Sequence, residues 1–140
     1  MCATKTRLIG RWAEDVAASY LQAKKLEIIA RNFHSRYGEI DLICLEHLDD
    51  GTFLCFIEVK ARQISHYAAA SESIDPRKQH KIIQTAQVFL TKFPQYENLF
   101  CRFDAFTLEY HQVDVLDLNI EKTINHPAIQ LQWIKHAYTL

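Results

Sequence analysis

Gly38-Glu39-Ile40-Asp41-Leu42-Ile43-Cys44-Leu45, followed by Phe53-Leu54-Cys55-Phe56-Ile57-Glu58-Val59-Lys60, is the stretch whose reading decides the fold. Both runs are dense in apolar residues, and Asp49-Asp50-Gly51-Thr52 between them has turn chemistry. They therefore read as the two strands of a hairpin. Side chains alternate along a strand, so Glu58 and Lys60 point the same way, roughly 7 Å apart, while Val59 points to the other face.

Two registers are open. With Asp50-Gly51 as a two-residue loop, Asp41 lies opposite Lys60 and diagonal to Glu58; with Asp49-Asp50 as the loop, Asp41 lies opposite Glu58. Either register predicts Asp41, Glu58 and Lys60 on one face, and a three-residue loop or a bulge reverses that parity. A Glu and a Lys two residues apart are most often a solvated strand face. Here, however, they share that face with Leu54, Phe56, Ile43 and Leu45, where charge is costly unless paired or metal-bound.

The chain has 140 residues, of which 49% are hydrophobic, with only three glycines and three prolines, so it reads as a single domain over residues 1–140 with enough apolar material for a core. No repeat or low-complexity linker divides it. There is no apolar run of about 18 residues and no apolar signal-peptide core at the start, which predicts a cytoplasmic protein without a membrane partner. The four cysteines, Cys2, Cys44, Cys55 and Cys101, lack C-x-x-C spacing; Cys44 and Cys55 read as small buried hydrophobes, which suits a reducing compartment. None of the seven histidines shows metal-ligand spacing, and all are read as surface or packing residues. The net charge of −1 divides into +2 on residues 1–102 and −3 on residues 103–140, an asymmetry that permits nucleic-acid binding without indicating it.

Outward from the hairpin, Ile9, Trp12, Ala13, Val16, Ala17, Tyr20 and Leu21 recur at helical spacing and predict a helix over 8–25, with Lys24-Lys25 in its last turn. Glu14 falls at the rim of the apolar arc. A first strand is expected over 26–34. Asp75 as N-cap, Pro76 at the first helical position and the face Ile82, Ile83, Ala86, Phe89, Leu90 and Phe93 predict a second helix ending at Pro94. Lys78, in its first turn, opposes the helix dipole unless an anion or carboxylate cluster compensates. Residues 101–108 read as a strand in which Arg102 and Asp104 share a face as an ion pair. A short strand is expected around 113–118, and Pro127 is expected to open a final helix carrying Ile129, Trp133, Ile134 and Ala137. The sum is α/β, a central mixed β-sheet flanked by helices.

Several segments together resemble one family: Glu14-Asp15-Val16-Ala17 with Tyr20-Leu21, Arg31-Asn32, the Gly38–Ile43 run, Phe56–Arg62, Lys78 with Ala86, Arg102-Phe103-Asp104, and Ile134-Lys135-His136-Ala137-Tyr138. The chain resembles the YraN family of small bacterial proteins, of the restriction-endonuclease-like superfamily and similar to archaeal Holliday junction resolvases. The resemblance covers nearly the whole chain and implies a three-layer nuclease-like fold. It implies further that Asp41 matches the aspartate of a PD-(D/E)-x-K motif, that Glu58 and Lys60 match its E-x-K, and that Glu14 is the helix carboxylate of the resolvase-like branch. Ala13 stands where the family usually has glycine, and a glycine expected within residues 65–73 is absent.

On this reading Asp41, Glu58, the Val59 carbonyl and Glu14 are the expected ligands of Mg²⁺ or Mn²⁺, hard cations that take oxygen donors. Lys60 orients the attacking water, and Lys78, Arg62 and Arg36 are the expected phosphate contacts. Glu39 shares the parity of Asp41 and either joins the site or finishes a turn. The expected activity is metal-dependent endonucleolytic hydrolysis of nucleic acid, DNA first and branched DNA included. By analogy with resolvases, a homodimer is the expected assembly. The alternative is a catalytically inactive nucleic-acid-binding or protein-interaction module on a nuclease fold.

Overall fold

The structure, a computed structural model, describes residues 2–64 and 75–138. The stretch 65–73, with its missing glycine and His66, lies outside the described residues. The element order is α1 (Cys2–Ala23), β1 (Glu27–Ser35), β2 (Gly38–Leu48), β3 (Gly51–Gln63), α2 (Pro76–Lys92), β4 (Phe100–Tyr110), α3 (Ile120–Ile124) and β5 (Ile129–Tyr138). The five strands form one sheet in sequence order; β3 and β4 are parallel and every other neighbouring pair is antiparallel. A parallel pair needs a crossover, and α2 lies within it. Among the described residues, no helix is long and apolar enough to cross a membrane.

Two apolar clusters make the chain three layers deep. On one face Trp12, Ala13, Val16, Ala17 and Leu21 of α1 pack on Leu42, Cys44, Cys55, Ile57, Phe106 and Leu108. On the other, Ile82, Ala86 and Phe89 of α2 pack on Ile43, Leu45, Leu54, Phe56 and Phe103. Each large side chain fully buried in such a layer contributes roughly 1.5–3 kcal/mol. The fold class is thus the expected α/β arrangement of a mixed sheet between helices. Cys44 and Cys55 are both buried and free of disulfides, as their setting in apolar strands implies.

The hairpin uses the second of the two registers. Leu48 pairs with Gly51 and Leu42 with Ile57, so Asp49-Asp50 is the loop. Gly51 has φ +147°, backbone that favours glycine. The second helix forms as expected, with the Asp75 side chain accepting from Arg77 N–H and Pro76 in the first turn. The first helix begins at Cys2 and ends at Ala23, so Lys24 and Lys25 lie in the turn beyond it, Lys25 at φ 72°.

Two expectations near the C-terminus are corrected. Residues 113–118 hold a 3-10 turn, Val115–Asp117, rather than a strand. The final element is the strand β5, not a helix. The spacing Ile129, Trp133, Ile134, Ala137 fits a helical face, but Ile129, Leu131 and Trp133 also alternate with polar Gln130 and Gln132, and a window this short does not separate the two periods. The open edge of β4 decides, because pairing along it satisfies a row of backbone groups.

Candidate functional site

The site forms where β2 and β3 part. Their ladder ends at Leu42–Ile57, and Asp41, one residue further, reaches across the gap to accept the Val59 N–H at 2.8 Å. Ile40 packs in the α2-side cluster and Leu42 in the α1-side cluster, so strand alternation breaks at Asp41. Asn32, which falls between the pairs Arg31–Leu42 and Phe33–Ile40, bends at the same level with φ 52°. Asparagine tolerates that left-handed backbone better than most residues. The flat face expected from parity is therefore replaced by a fork, with Asp41 projecting into its mouth.

Three carboxylates meet there. Glu14 of α1, Glu39 and Asp41 each offer an oxygen, and these atoms lie within 4.8 Å of one another. Glu14 is held by a hydrogen bond from the Asn32 side chain and by Arg31, 3.9 Å away, whose shorter bond of 2.7 Å goes to Asp15. Burial pushes the Asp41 carboxyl up to about 7, and the negative charges of Glu14, Glu58 and Glu39 add to this, against the lowering effect of the Val59 hydrogen bond. Burial likewise raises Glu14. The fork is short of positive charge.

Glu58 borders the fork from β3 and is only 7% exposed. Its Oε1 pairs with the Lys78 ammonium from the first turn of α2, which answers why a lysine stands at that helix start. Its Oε2 is buried and has no hydrogen-bond partner among the described residues. Lys60 stands two residues further along β3, half-buried and in register with Thr107; Arg62 follows, in register with Glu109. Arg36 is exposed in the turn between β1 and β2, its guanidinium stacked on the Tyr37 ring.

The structure thus gathers Glu14 and Asp41 with Glu39, which the sequence left between two roles, and sets Glu58 beside them under Lys78. His34, read as a surface or packing residue, borders the cluster with its Nδ1 3.4 Å from Glu39 Oε2. The signal for both was the pairing of β1 with β2, in which His34 faces Glu39 across a two-residue turn.

A second ionic cluster lies on the α1-side face nearer the β2–β3 loop. Arg102, as expected, pairs with Asp104 (Nε to Oδ1 2.9 Å, Nη2 to Oδ2 3.0 Å) and also reaches Glu46 Oε1 at 2.7 Å. Lys135 donates to Glu46 Oε2 at 3.0 Å, and Trp133 Nε1 donates to Asp104 Oδ2 at 3.0 Å. Burial works to raise the Glu46 pKa, but the hydrogen bonds and charges of Arg102 and Lys135 outweigh it and hold the carboxyl below its ordinary range.

Residues 13–108 match the family described as "Uncharacterised protein family UPF0102", a span that includes Glu14, Glu39, Asp41, Glu58, Lys60 and Lys78. The UPF0102 protein of Acinetobacter baylyi is 43% identical over 136 residues, covering 94% of this chain and 90% of that protein. The UPF0102 proteins of Alcanivorax borkumensis and Pseudomonas putida are 38% and 35% identical over 129 residues each, which is 92% of this chain and 90% and 91% of theirs. The chain belongs to the UPF0102 family, the YraN-like group that its motifs resemble.

Proposed function

We propose that this chain is a metal-dependent endonuclease of the restriction-endonuclease-like superfamily, hydrolysing phosphodiester bonds of nucleic acid in the cytoplasm. One observation carries the reading: three carboxylates within 4.8 Å of one another, beside a buried Glu58 whose Oε2 has no hydrogen-bond partner among the described residues. Uncompensated carboxylates are expensive, and a cation is the natural complement to a set of hard oxygen donors. Asp41, Glu58, the Val59 carbonyl and Glu14 would hold Mg²⁺ or Mn²⁺, with Glu39 as an added donor. When bound, such a cation polarises a phosphate oxygen and lowers the pKa of its water.

The chain's own groups supply the rest. Val59 N–H fixes one oxygen of Asp41 and so aims the other into the fork. Lys60 orients the attacking water and stabilises the charge that develops on the phosphate. Lys78, Arg62 and Arg36 hold the phosphodiester backbone without reading bases. A two-fold symmetric branched substrate would engage two copies of the chain.

The test is cleavage of single-stranded, duplex and branched DNA, and of RNA, with Mg²⁺ and with Mn²⁺. The parent is expected to cut at least one of them. Asp41→Asn and Lys60→Ala are expected to lose on the order of 10²–10⁴ in rate, the range one catalytic group contributes, with unchanged circular dichroism. Undiminished cleavage in either variant sinks the mechanism. A second reading, a binding module without chemistry, is favoured by the Lys78–Glu58 pair, in which the protein already neutralises the motif glutamate. A melting shift with Mn²⁺ that disappears in Asp41→Asn decides for the enzyme, and no shift with any divalent cation decides for the module.

A further inference from the structure

Beyond Glu58 the sheet has two unlike faces. Val59, Ala61, Phe106, Leu108, Leu131 and Trp133 face the α1 side and pack in its apolar cluster. Their alternating neighbours Lys60, Arg62, Thr107, Glu109, Gln130 and Gln132 face the α2 side. Among the described residues, the apolar cluster beneath α2 ends on β3 and β4 at Phe56 and Phe103, one level short of Glu58. From there on the face turns polar.

The register arranges these side chains in rows across three strands. Lys60 pairs with Thr107 and Thr107 with Gln132; Arg62 pairs with Glu109 and Glu109 with Gln130. Each row spans about 10 Å, and the two rows lie about 7 Å apart. Gln130 and Gln132 are exposed, and Lys60 and Thr107 are half-buried. An edge strand left to solvent is commonly guarded by charge, lysine above all; on this face β5 carries instead the neutral Gln130, Gln132 and Ile134, while its Lys135 pairs with Glu46 on the other face. Amides and hydroxyls are the groups that, beside arginine and lysine, bond phosphate and sugar oxygens.

We propose that this face is the track along which a nucleic-acid strand leaves the catalytic fork, crossing β3, β4 and β5 along the row Lys60–Thr107–Gln132. Lys60 meets the phosphate nearest the site, and Thr107 and Gln132 bond the following sugar and phosphate oxygens, with Gln130 flanking them. Glu109 repels phosphate at the middle of the second row, so the strand crosses β4 at Thr107, with Arg62 and Gln130 flanking it on either side. The partner is a single strand of nucleic acid, or one strand of a branched end, because the track is one row wide and begins at Glu58. This rests on the nuclease reading and adds to it Thr107, Gln130 and Gln132, which lie outside the motif.

The experiment measures binding of fluorescent single-stranded, duplex and branched oligonucleotides by anisotropy in EDTA, using the full chain, so that neither metal nor cleavage enters. Gln130→Ala/Gln132→Ala is expected to weaken single-strand binding about tenfold while leaving the salt dependence unchanged, because neutral groups release no counterions. Lys60→Ala is expected to reduce the salt slope by about one. Melting curves establish that the double variant is folded; Gln132→Glu, which keeps size and adds repulsion, is expected to weaken binding at least as far. A double variant that is folded and binds and cuts like the parent overturns the track and leaves the nuclease reading standing. A parent that binds none of the oligonucleotides in EDTA overturns the track, while the nuclease reading is decided separately by cleavage with Mg²⁺ or Mn²⁺. A double variant that instead becomes monomeric, with binding unchanged, assigns the face to a second copy of the chain and overturns the proposal.

Discussion

Two aspartates in this sheet do the same structural task in opposite surroundings. Asp104 accepts the His136 N–H at 3.2 Å where the β4–β5 ladder shifts register, and Asp41 accepts the Val59 N–H at 2.8 Å where the β2–β3 ladder ends. Each carboxylate patches an interrupted ladder. Asp104, fully buried, has both oxygens bonded to Arg102 and also takes the Trp133 indole N–H. Asp41 has instead the carboxylates of Glu14, Glu39 and Glu58 for neighbours. A half-buried carboxylate crowded by other carboxylates, with no cation bonded to it, is kept only where something other than stability is at stake, so the satisfied network reads as scaffold and the fork as candidate site.

The sharpest way to break this comparison is to strip the scaffold cluster of its cation. Arg102→Ala leaves Glu46 and Asp104 facing each other without a guanidinium and is expected to destabilise the fold by about 3–5 kcal/mol, read from urea unfolding. A loss under about 1 kcal/mol means that the network is not the scaffold.

The fork should respond with the opposite sign. In metal-free protein the folded state holds the Asp41 proton up to about pH 7, whereas the unfolded chain releases it near its ordinary value of 3.8. The unfolded state thus binds fewer protons between those pH values, and stability falls as pH rises through the window. Asp41→Asn removes the titration, so in EDTA at pH 8 the variant is expected to be more stable than the parent by on the order of 4 kcal/mol, with no difference near pH 3. A variant less stable than the parent at pH 8 contradicts the picture of an uncompensated fork.

The mildest intervention falls between the two clusters. Lys78→Met removes a half-exposed ammonium from the buried Glu58, and the stability cost is expected to be about 1–3 kcal/mol. Freed of its internal cation, Glu58 is expected to bind Mn²⁺ several-fold more tightly in a calorimetric titration. Weaker binding instead makes Lys78 a support of the site rather than a competitor for it.

Much of this was legible in the residues. Glu58 and Lys60 share a side because strand alternation is local, Asp75-Pro76 caps α2 because capping is a property of adjacent residues, and Arg102 meets Asp104 because two residues on a strand share a face. What could not be read involves distant partners. Glu46 joins Arg102 across 56 residues, and Lys135 joins Glu46 across 89. The strand β5 was hidden by a ten-residue window that fits both periods, and the free edge that selects one of them belongs to another element.

The sequence by itself determined the chemical groups of the candidate site, the α/β order of most elements and the apolar faces of α1 and α2, all consequences of propensity and periodicity over a few residues. Only the tertiary structure decided that β2 leaves β3 at Asp41, that Glu14 and Glu39 close on it, and that Glu58 is held by Lys78. Those outcomes depend on how twisted strands part and on which helix packs over each face. No periodicity within a single segment contains that information.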